Sequence, residues 1–351
     1  MSISHIGRIY YELTTKCNLR CAHCFNYNAG YSDKFIDIQS MFNFHKMVES
    51  QFETTSVLTG GEPLLHPQFV EIVEFFNSRG RFCVTTNATL FTNEYYEELL
   101  SRNKNLFFQI SVDGFTKETF EKMRGTNTYD RVMERINYLV TKGYGKRIGI
   151  STTITNYNKH EIIELVNWAE KLQLHSIHFP TLIHEGRCES NNYIIPKVEE
   201  ITELEELLLQ RCIESKKTNI SINTLNQIAS WQNIKSVNSC LESPTLKITP
   251  SGEIMPCPVA WEEKYSLGNI VKISSLQQVH EKLNAIPFSS CIHPQCSSCE
   301  VSDKCKKNMC ENCIIRGKNS EKSFLYRCKN IKIHLRNMKQ DLATKEKNNE
   351  K

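Results

Sequence analysis

IYYELTTKCNLRCAHC, residues 9–24, begins with an apolar, aromatic run that reads as a β-strand and ends with three cysteines in a window of eight. Two thiols make a disulfide and four close a tetrahedral zinc site. Three on one tight loop satisfy neither, so the reading of this stretch turns on what needs three.

The surrounding chain narrows the choice. Its 351 residues are 40% hydrophobic and 23% charged, with a formal net charge of +4, which is the balance of a globular protein without an evident nucleic-acid footprint. The first residues lack a signal-peptide core, and no stretch reaches the length of a membrane span, so a cytoplasmic location is expected. Fifteen cysteines in a reducing compartment point to metal or redox chemistry before disulfides. Three stand at Cys17, Cys21 and Cys24, nine lie between Cys240 and Cys328, and only Cys83, Cys188 and Cys212 fall between these groups. That distribution implies two separate metal regions.

Short β-rich runs alternate with helical patterns up to about residue 183. The runs are IYYEL (9–13), SVLTG (56–60), RFCVTT (81–86), LFFQISVDG (106–114), RIGISTTI (147–154) and SIHFPTLI (176–183). Between them, HPQFVEIVEFFNSRG, NEYYEELLSRN, YDRVMERINYLVTKG and HEIIELVNWAEKL carry apolar residues at helical spacing. Six βα units predict an α/β fold with a parallel sheet, a partial (β/α)6 barrel of the TIM type. In such folds function gathers at the carboxyl ends of the strands, which is where the cysteine loop, GGEP (60–63), Asn87, Ser111 and Asp113 stand. A helix over about 196–215 and a loose bridge lead to a small cysteine-rich segment that has few long apolar runs and depends on metal to fold. The expected division is a barrel over 1–220, a bridge over 221–238, a cysteine-rich domain over 239–335 and a disordered polar tail over 336–351.

A four-iron four-sulfur cube offers four irons, and three cysteine thiolates leave one open. The open iron can bind a small molecule that brings its own nitrogen and oxygen donors. CNLRCAHC followed by GGEP, 36 residues after Cys24, resembles the radical S-adenosylmethionine superfamily, and TTNATL (85–90) and ISVDG (110–114) extend the likeness. The resemblance implies that Cys17, Cys21 and Cys24 hold a cluster and that S-adenosylmethionine completes it. Its reductive cleavage gives a 5'-deoxyadenosyl radical, which takes a hydrogen atom from substrate. It also assigns the S-adenosylmethionine pocket to Gly60, Gly61, Glu62 and Pro63, to Ser111 and Asp113, and to the polar residues Asn87, Arg124 and Asn156. The alternative at the first loop is a zinc knuckle, which wants a fourth ligand that His23 is poorly placed to give. His23 stands where the family usually has a packing aromatic.

From Cys240 the pattern is Cys-x11-Gly-x4-Cys to Cys257, then Cys-x2-Cys-x5-Cys-x4-Cys through Cys296, Cys299, Cys305 and Cys310, and finally Cys328. With LGNI (267–270) and the helix SSLQQVHEKL, this resembles the SPASM extension of radical enzymes, which carries one or two auxiliary four-iron four-sulfur clusters. By that resemblance Cys296, Cys299, Cys305 and Cys328 hold one cluster, and Cys240, Cys257 and Cys310 hold another. Four residues rather than three precede Cys310, and no cysteine lies shortly before Cys240. Either that cluster has an open iron, or Cys291 or Cys313 completes it. Structural zinc is the competing reading for the Cys-x2-Cys pairs.

Enzymes of this layout mostly modify peptides, making thioether or carbon–carbon crosslinks, epimers or formylglycine. A peptide maturase is therefore expected. The alternatives are a radical enzyme acting on a small molecule such as a tetrapyrrole in haem biosynthesis, and a non-enzymatic metal-binding scaffold. Pro258, where sulfatase maturases commonly place an Asp base, weakens formylglycine formation. The cluster motif starts at residue 17, so leader recognition is expected from a separate protein or from the barrel itself. A reductase, flavodoxin or ferredoxin would supply electrons. Cys188 is the candidate hydrogen donor for an epimerase, while Cys83 reads as buried core, His178 as packing and His184 as surface. Anaerobic reconstitution is expected to load about eight to twelve irons per chain. Iron analysis and 5'-deoxyadenosine release under reduction check this, and bound zinc without cleavage contradicts it.

Overall fold

The computed structural model describes residues 6–26, 33–214, 219–222, 245–260, 263–286 and 328–334. Strands form where the β-rich runs stand: β1 (Arg8–Glu12), β2 (Thr55–Thr59), β3 (Phe82–Thr86), β4 (Leu106–Ser111), β5 (Ile148–Ser151) and β6 (Ser176–Phe179). The helices between them are α1 (Ile38–Glu49), α2 (Phe69–Asn77), α3 (Asn93–Arg102), α4 (Lys117–Arg124), α5 (Tyr129–Thr141) and α6 (Ile162–Lys171). Side chains of Asp37, Thr92 and Thr116 accept backbone N–H groups at the starts of α1, α3 and α4, which stops the chain from extending the helices backwards. After β6 come α7 (Arg187–Ser190), α8 (Val198–Glu214), β7 (Asn219–Ile222), β8 (Thr245–Ile248), β9 (Ile254–Met255) and α9 (Leu276–Ala285). Residues 328–334 are helical. No described helix is long and apolar enough to cross a membrane.

All nine described strands share one sheet in the order β7-β6-β5-β4-β3-β2-β1-β8-β9. From β7 to β8 each neighbour is parallel, as βα crossovers require, and only β9 runs antiparallel, hairpinned onto β8. The six expected strands are all present. Five end earlier than expected, β1 and β2 by one residue, β4 and β5 by three and β6 by four, and for β4 and β6 the reason is local. β4 stops at Ser111 because the chain turns at Gly114, where a Cβ would meet the Phe120 nitrogen at 2.4 Å. β6 stops at Phe179 because Pro180 has no N–H to give the ladder. Beyond these six stand β7, β8 and β9, and β8, from the cysteine-rich segment, pairs with β1 in the register Arg8↔Thr245 to Tyr11↔Ile248.

The two faces of the sheet differ. Alternate residues such as Tyr11, Leu58, Val84, Phe108, Ile150 and Ile177 are buried against Phe44, Phe76, Leu100, Ile136 and Leu165 of the helices. The residues between them point to the concave side, around a cavity of about 900 Å³. Ile110, fully buried on central β4, fills the middle of the outer layer. Ile110→Ala is expected to cost about 2–5 kcal/mol through the cavity it leaves, seen as a lower urea midpoint with an unchanged slope.

Candidate active site

The loop after β1 is fixed by backbone contacts before any cysteine is reached. The Thr14 hydroxyl donates to the Lys34 carbonyl at 2.7 Å, and the Lys16 N–H donates back to that hydroxyl at 2.9 Å. The loop after β2 then closes on it: Gly61 N–H donates to the Thr14 carbonyl at 2.7 Å, and Glu62 N–H to the Lys16 carbonyl at 2.8 Å. There is no room for side chains here. A Cβ on Gly60 would meet the Thr14 oxygen at 2.5 Å, one on Gly61 the Lys16 oxygen at 2.2 Å, and Gly60 has φ +129°.

The cysteine loop is held from the opposite side as well. Ala22 N–H donates to the Met123 carbonyl at the end of α4, and Arg187 N–H to the Cys24 carbonyl at 3.0 Å. The Arg187 Nε also donates to the Cys21 carbonyl at 2.9 Å. Cys17, Cys21 and Cys24 are unpaired thiols that line one end of the cavity. Leu19 N–H donates to the Cys17 Sγ at 3.4 Å, and Arg124 Nη1 points at the Cys21 Sγ from 3.9 Å. Burial pushes the Cys21 thiol up to about 12, against the pull of Arg124. A thiolate there therefore needs a strong positive partner. Among the described residues no three His, Cys, Asp or Glu side chains converge on one metal ion. By its chemistry a set of three thiols without a fourth ligand suits a group that takes each sulfur on a different metal atom, as a four-iron cluster does, better than a single zinc.

Arg124 is itself positioned from below. Its Nε lies 2.6 Å from the Asp113 Oδ2, and the His23 Nε2 lies 3.3 Å from the same oxygen. Asp113 is fully buried and bonded at its other oxygen by Thr153 N–H at 2.7 Å. Burial holds the His23 ring below its usual pKa, and so neutral. Glu62 accepts from the Thr86 hydroxyl at 2.7 Å, Asn87 N–H at 2.8 Å and Leu64 N–H at 3.4 Å, so its carboxylate joins the β2 and β3 loops. Asn87 reaches across to the Asn18 side chain at 3.0 Å, and Arg135 holds the rest of that loop through the carbonyls of Ala88 and Phe91.

Of the expected cofactor residues, Gly60, Gly61, Glu62, Asn87, Ser111 and Arg124 line the cavity together with the three cysteines, and so does His23. Pro63 and Asp113 stand behind that lining, Asp113 reaching the site through Arg124. Asn156 is committed elsewhere, its amide donating to the carbonyls of Tyr193 and Ile195. Cys188 is fully buried in an apolar cluster with Leu182 and Ile194, and is not part of the lining. Cys83, expected in the core, lies on the cavity face instead, because the two-residue period puts Val84 outward. His178, expected to pack, lines the cavity, and His184, expected at the surface, is buried. In the cysteine-rich segment, Cys257 is buried beside Met255 and Tyr265, and Cys328 starts the helical residues 328–334. Cys240, Cys291, Cys296, Cys299, Cys305, Cys310 and Cys313 lie outside the described residues.

The lining also holds residues that sequence reading passed over: Tyr10, Glu12, Gln109, Ser151, Thr153 and Lys247. Their signal was present as polar residues recurring at every second position of strands otherwise rich in Ile, Phe and Val.

Six βα units on one parallel sheet, with three thiols in the loop after β1, define an α/β protein whose site lies at the carboxyl ends of the strands. Residues 11–169 match the family model of the radical SAM superfamily, and residues 240–314 match the SPASM iron-sulfur cluster-binding domain. The chain belongs to the radical SAM superfamily and carries a SPASM domain, so it is an enzyme that uses S-adenosylmethionine and four-iron four-sulfur clusters. It is 26% identical over 334 residues to the antilisterial bacteriocin subtilosin biosynthesis protein AlbA of Bacillus subtilis, covering 92% of this chain and 69% of AlbA. It is 25% identical over 305 residues to the mycofactocin maturase MftC of Mycobacterium tuberculosis, covering 84% of this chain and 76% of MftC. The fold matches that of Streptococcus suis SuiB bound to S-adenosylmethionine with a TM-score of 0.70 at 16% identity, over 89% of this chain and 74% of SuiB.

Two outcomes are expected from this geometry. Asp113→Ala strands the buried Arg124 charge and is expected to cost about 3–5 kcal/mol, measurable as a lower thermal midpoint before any cofactor is added. Burial raises the Glu62 carboxyl from its ordinary 4.5 to about 7 despite its three donors. The folded protein therefore keeps a proton that the unfolded chain releases, and stability falls as pH rises through that window. Denaturation midpoints across the window test this, and Glu62→Gln is expected to flatten the slope.

Proposed function

We propose that this enzyme matures a peptide, abstracting a hydrogen atom from it to drive an oxidative modification such as a thioether or carbon–carbon crosslink, or an epimerisation. The observation that carries the reading is the continuity of similarity to AlbA and MftC across both the barrel and the cysteine-rich segment. One of these relatives is named for bacteriocin biosynthesis and the other as a maturase. The cavity supports it: Thr59, Gln109, Ser151 and Thr153 offer hydroxyl and amide groups that suit peptide amides better than the apolar face of a tetrapyrrole. SuiB, the fold neighbour, has been solved with its own precursor peptide SuiA.

In this reading Cys17, Cys21 and Cys24 hold the cluster that binds S-adenosylmethionine, which when bound supplies the 5'-deoxyadenosyl radical. The backbone at Gly60 and Gly61 keeps the loop in place, Asn87 and Ser111 offer polar contacts to the cofactor, and Arg124, braced by Asp113, offsets negative charge at Cys21. Cys257 and Cys328 belong to the auxiliary clusters with the cysteines outside the described residues. Electrons come from a reductase, flavodoxin or ferredoxin in the cytoplasm. Leader recognition comes from a separate protein or from the barrel itself. The barrel occupies about 1–220 and the auxiliary domain about 239–335, with β8 of the latter added to the barrel sheet.

The test is to incubate the reconstituted, reduced enzyme with short peptides encoded beside its gene and to measure their mass. Loss of two hydrogens marks a crosslink or thioether. Unchanged mass with deuterium taken up from heavy water marks epimerisation. Turnover of a porphyrin precursor with no change in any peptide overturns the reading.

A further inference from the structure

Among the described residues, two carboxylates line the cavity, Glu12 and Glu62. They differ in what they are free to do. Glu62 is committed to the Thr86 hydroxyl and two backbone N–H groups. The Glu12 side chain makes no hydrogen bond or salt bridge with a described residue, although the residue is only 8% exposed.

Its position is equally specific. Glu12 ends β1, five residues before Cys17, and stands opposite Thr59, the last residue before the glycine pair. On the other side of β1, Lys247 of β8 projects from the same concave face, its backbone in register with Tyr10. Lys247 is buried within electrostatic reach of both Glu12 and Cys257. Burial raises the Glu12 carboxyl while Lys247 pulls it back, so the group holds a proton more tightly than a carboxylate in water does.

An oxidative bond formation has a use for such a group. The peptide loses one hydrogen atom from carbon, which becomes the new C–H of 5'-deoxyadenosine. The new bond from that carbon to a neighbouring sulfur or carbon replaces an S–H or C–H bond, so one proton and one electron must also leave. An auxiliary cluster, which Cys257 would help to hold, would supply the acceptor for the electron. We propose that Glu12 is the catalytic residue that takes the proton. This rests on the peptide-maturase reading above, with crosslinking as the reaction. Glu12 would take the proton on the side of the cavity where β1 meets β8.

The test compares wild type, Glu12→Gln and Glu12→Asp in the reconstituted holoenzyme, using the gene-adjacent peptide deuterated on carbon. Peptide affinity is read by fluorescence anisotropy without reductant, deuterium transfer by the mass of 5'-deoxyadenosine, and product by the mass of the peptide. Glu12→Gln is expected to keep affinity within about twofold and to keep deuterium transfer, while product formation falls about 100-fold or more. Glu12→Asp is expected to recover part of the loss. Product at the wild-type rate from Glu12→Gln overturns the assignment, as does a loss of deuterium transfer in step with product, which would place Glu12 before hydrogen abstraction. A wild-type enzyme that leaves the peptide unmodified overturns the maturase reading, and Glu12 as its base with it.

Discussion

The clasp between residues 14–16 and residues 60–62 sets the rest of the site. Two backbone hydrogen bonds and two glycines without room for a Cβ lock the ends of β1 and β2 together. Everything that follows β1 inherits that fixed starting point, including the three thiols. A cluster-binding loop on a mobile connector would lose conformational entropy on every binding event; here that loss is taken when the protein folds. The second set of anchors, from the end of α4 and the start of α7, turns the loop into a span held at both ends. Glu62 then uses its side chain to tie a third strand end to the same point, so one short motif fixes three loops.

Parallel sheets are usually buried on both faces and read as nearly continuous apolar runs. In this sheet one face packs against helices and the other carries threonine, serine, glutamine and ionisable side chains around an open volume. The arrangement costs the fold part of the core that a full barrel would place inside, and the outer layer of Ile, Val, Leu and Phe supplies the main apolar burial. Buried ionisable groups on such a wall are shifted by the same lack of water, which is why Cys21, Cys83, Glu12 and Glu62 all move toward their neutral forms.

Much of this was legible in the sequence, and the exceptions have physical causes. Strands β1 to β6 stood out because local runs of β-branched and aromatic residues are bounded by helix patterns, and the cysteine spacing marked the metal loop without help from the fold. The pairing of β8 with β1 had no such signal, since it joins residues more than two hundred positions apart through backbone groups that every sequence possesses. Cys83 was assigned to the core on its strand rather than on its parity within the strand. Asn156 stands near the mouth in sequence, yet the loop after it folds back so that two carbonyls claim its amide. Asp113 stands in the expected motif, and its partner Arg124 decides that it works from behind the cavity wall.

The place of β8 has a consequence for how this chain can be divided. A barrel cut away before residue 245 would expose the full hydrogen-bonding edge of β1, an apolar strand with Ile9 and Tyr11 on one side. Such an edge is a template for pairing with other chains. The auxiliary segment therefore also acts as a cover for the barrel's first strand, so that losing it would leave the enzyme prone to aggregate as well as short of clusters.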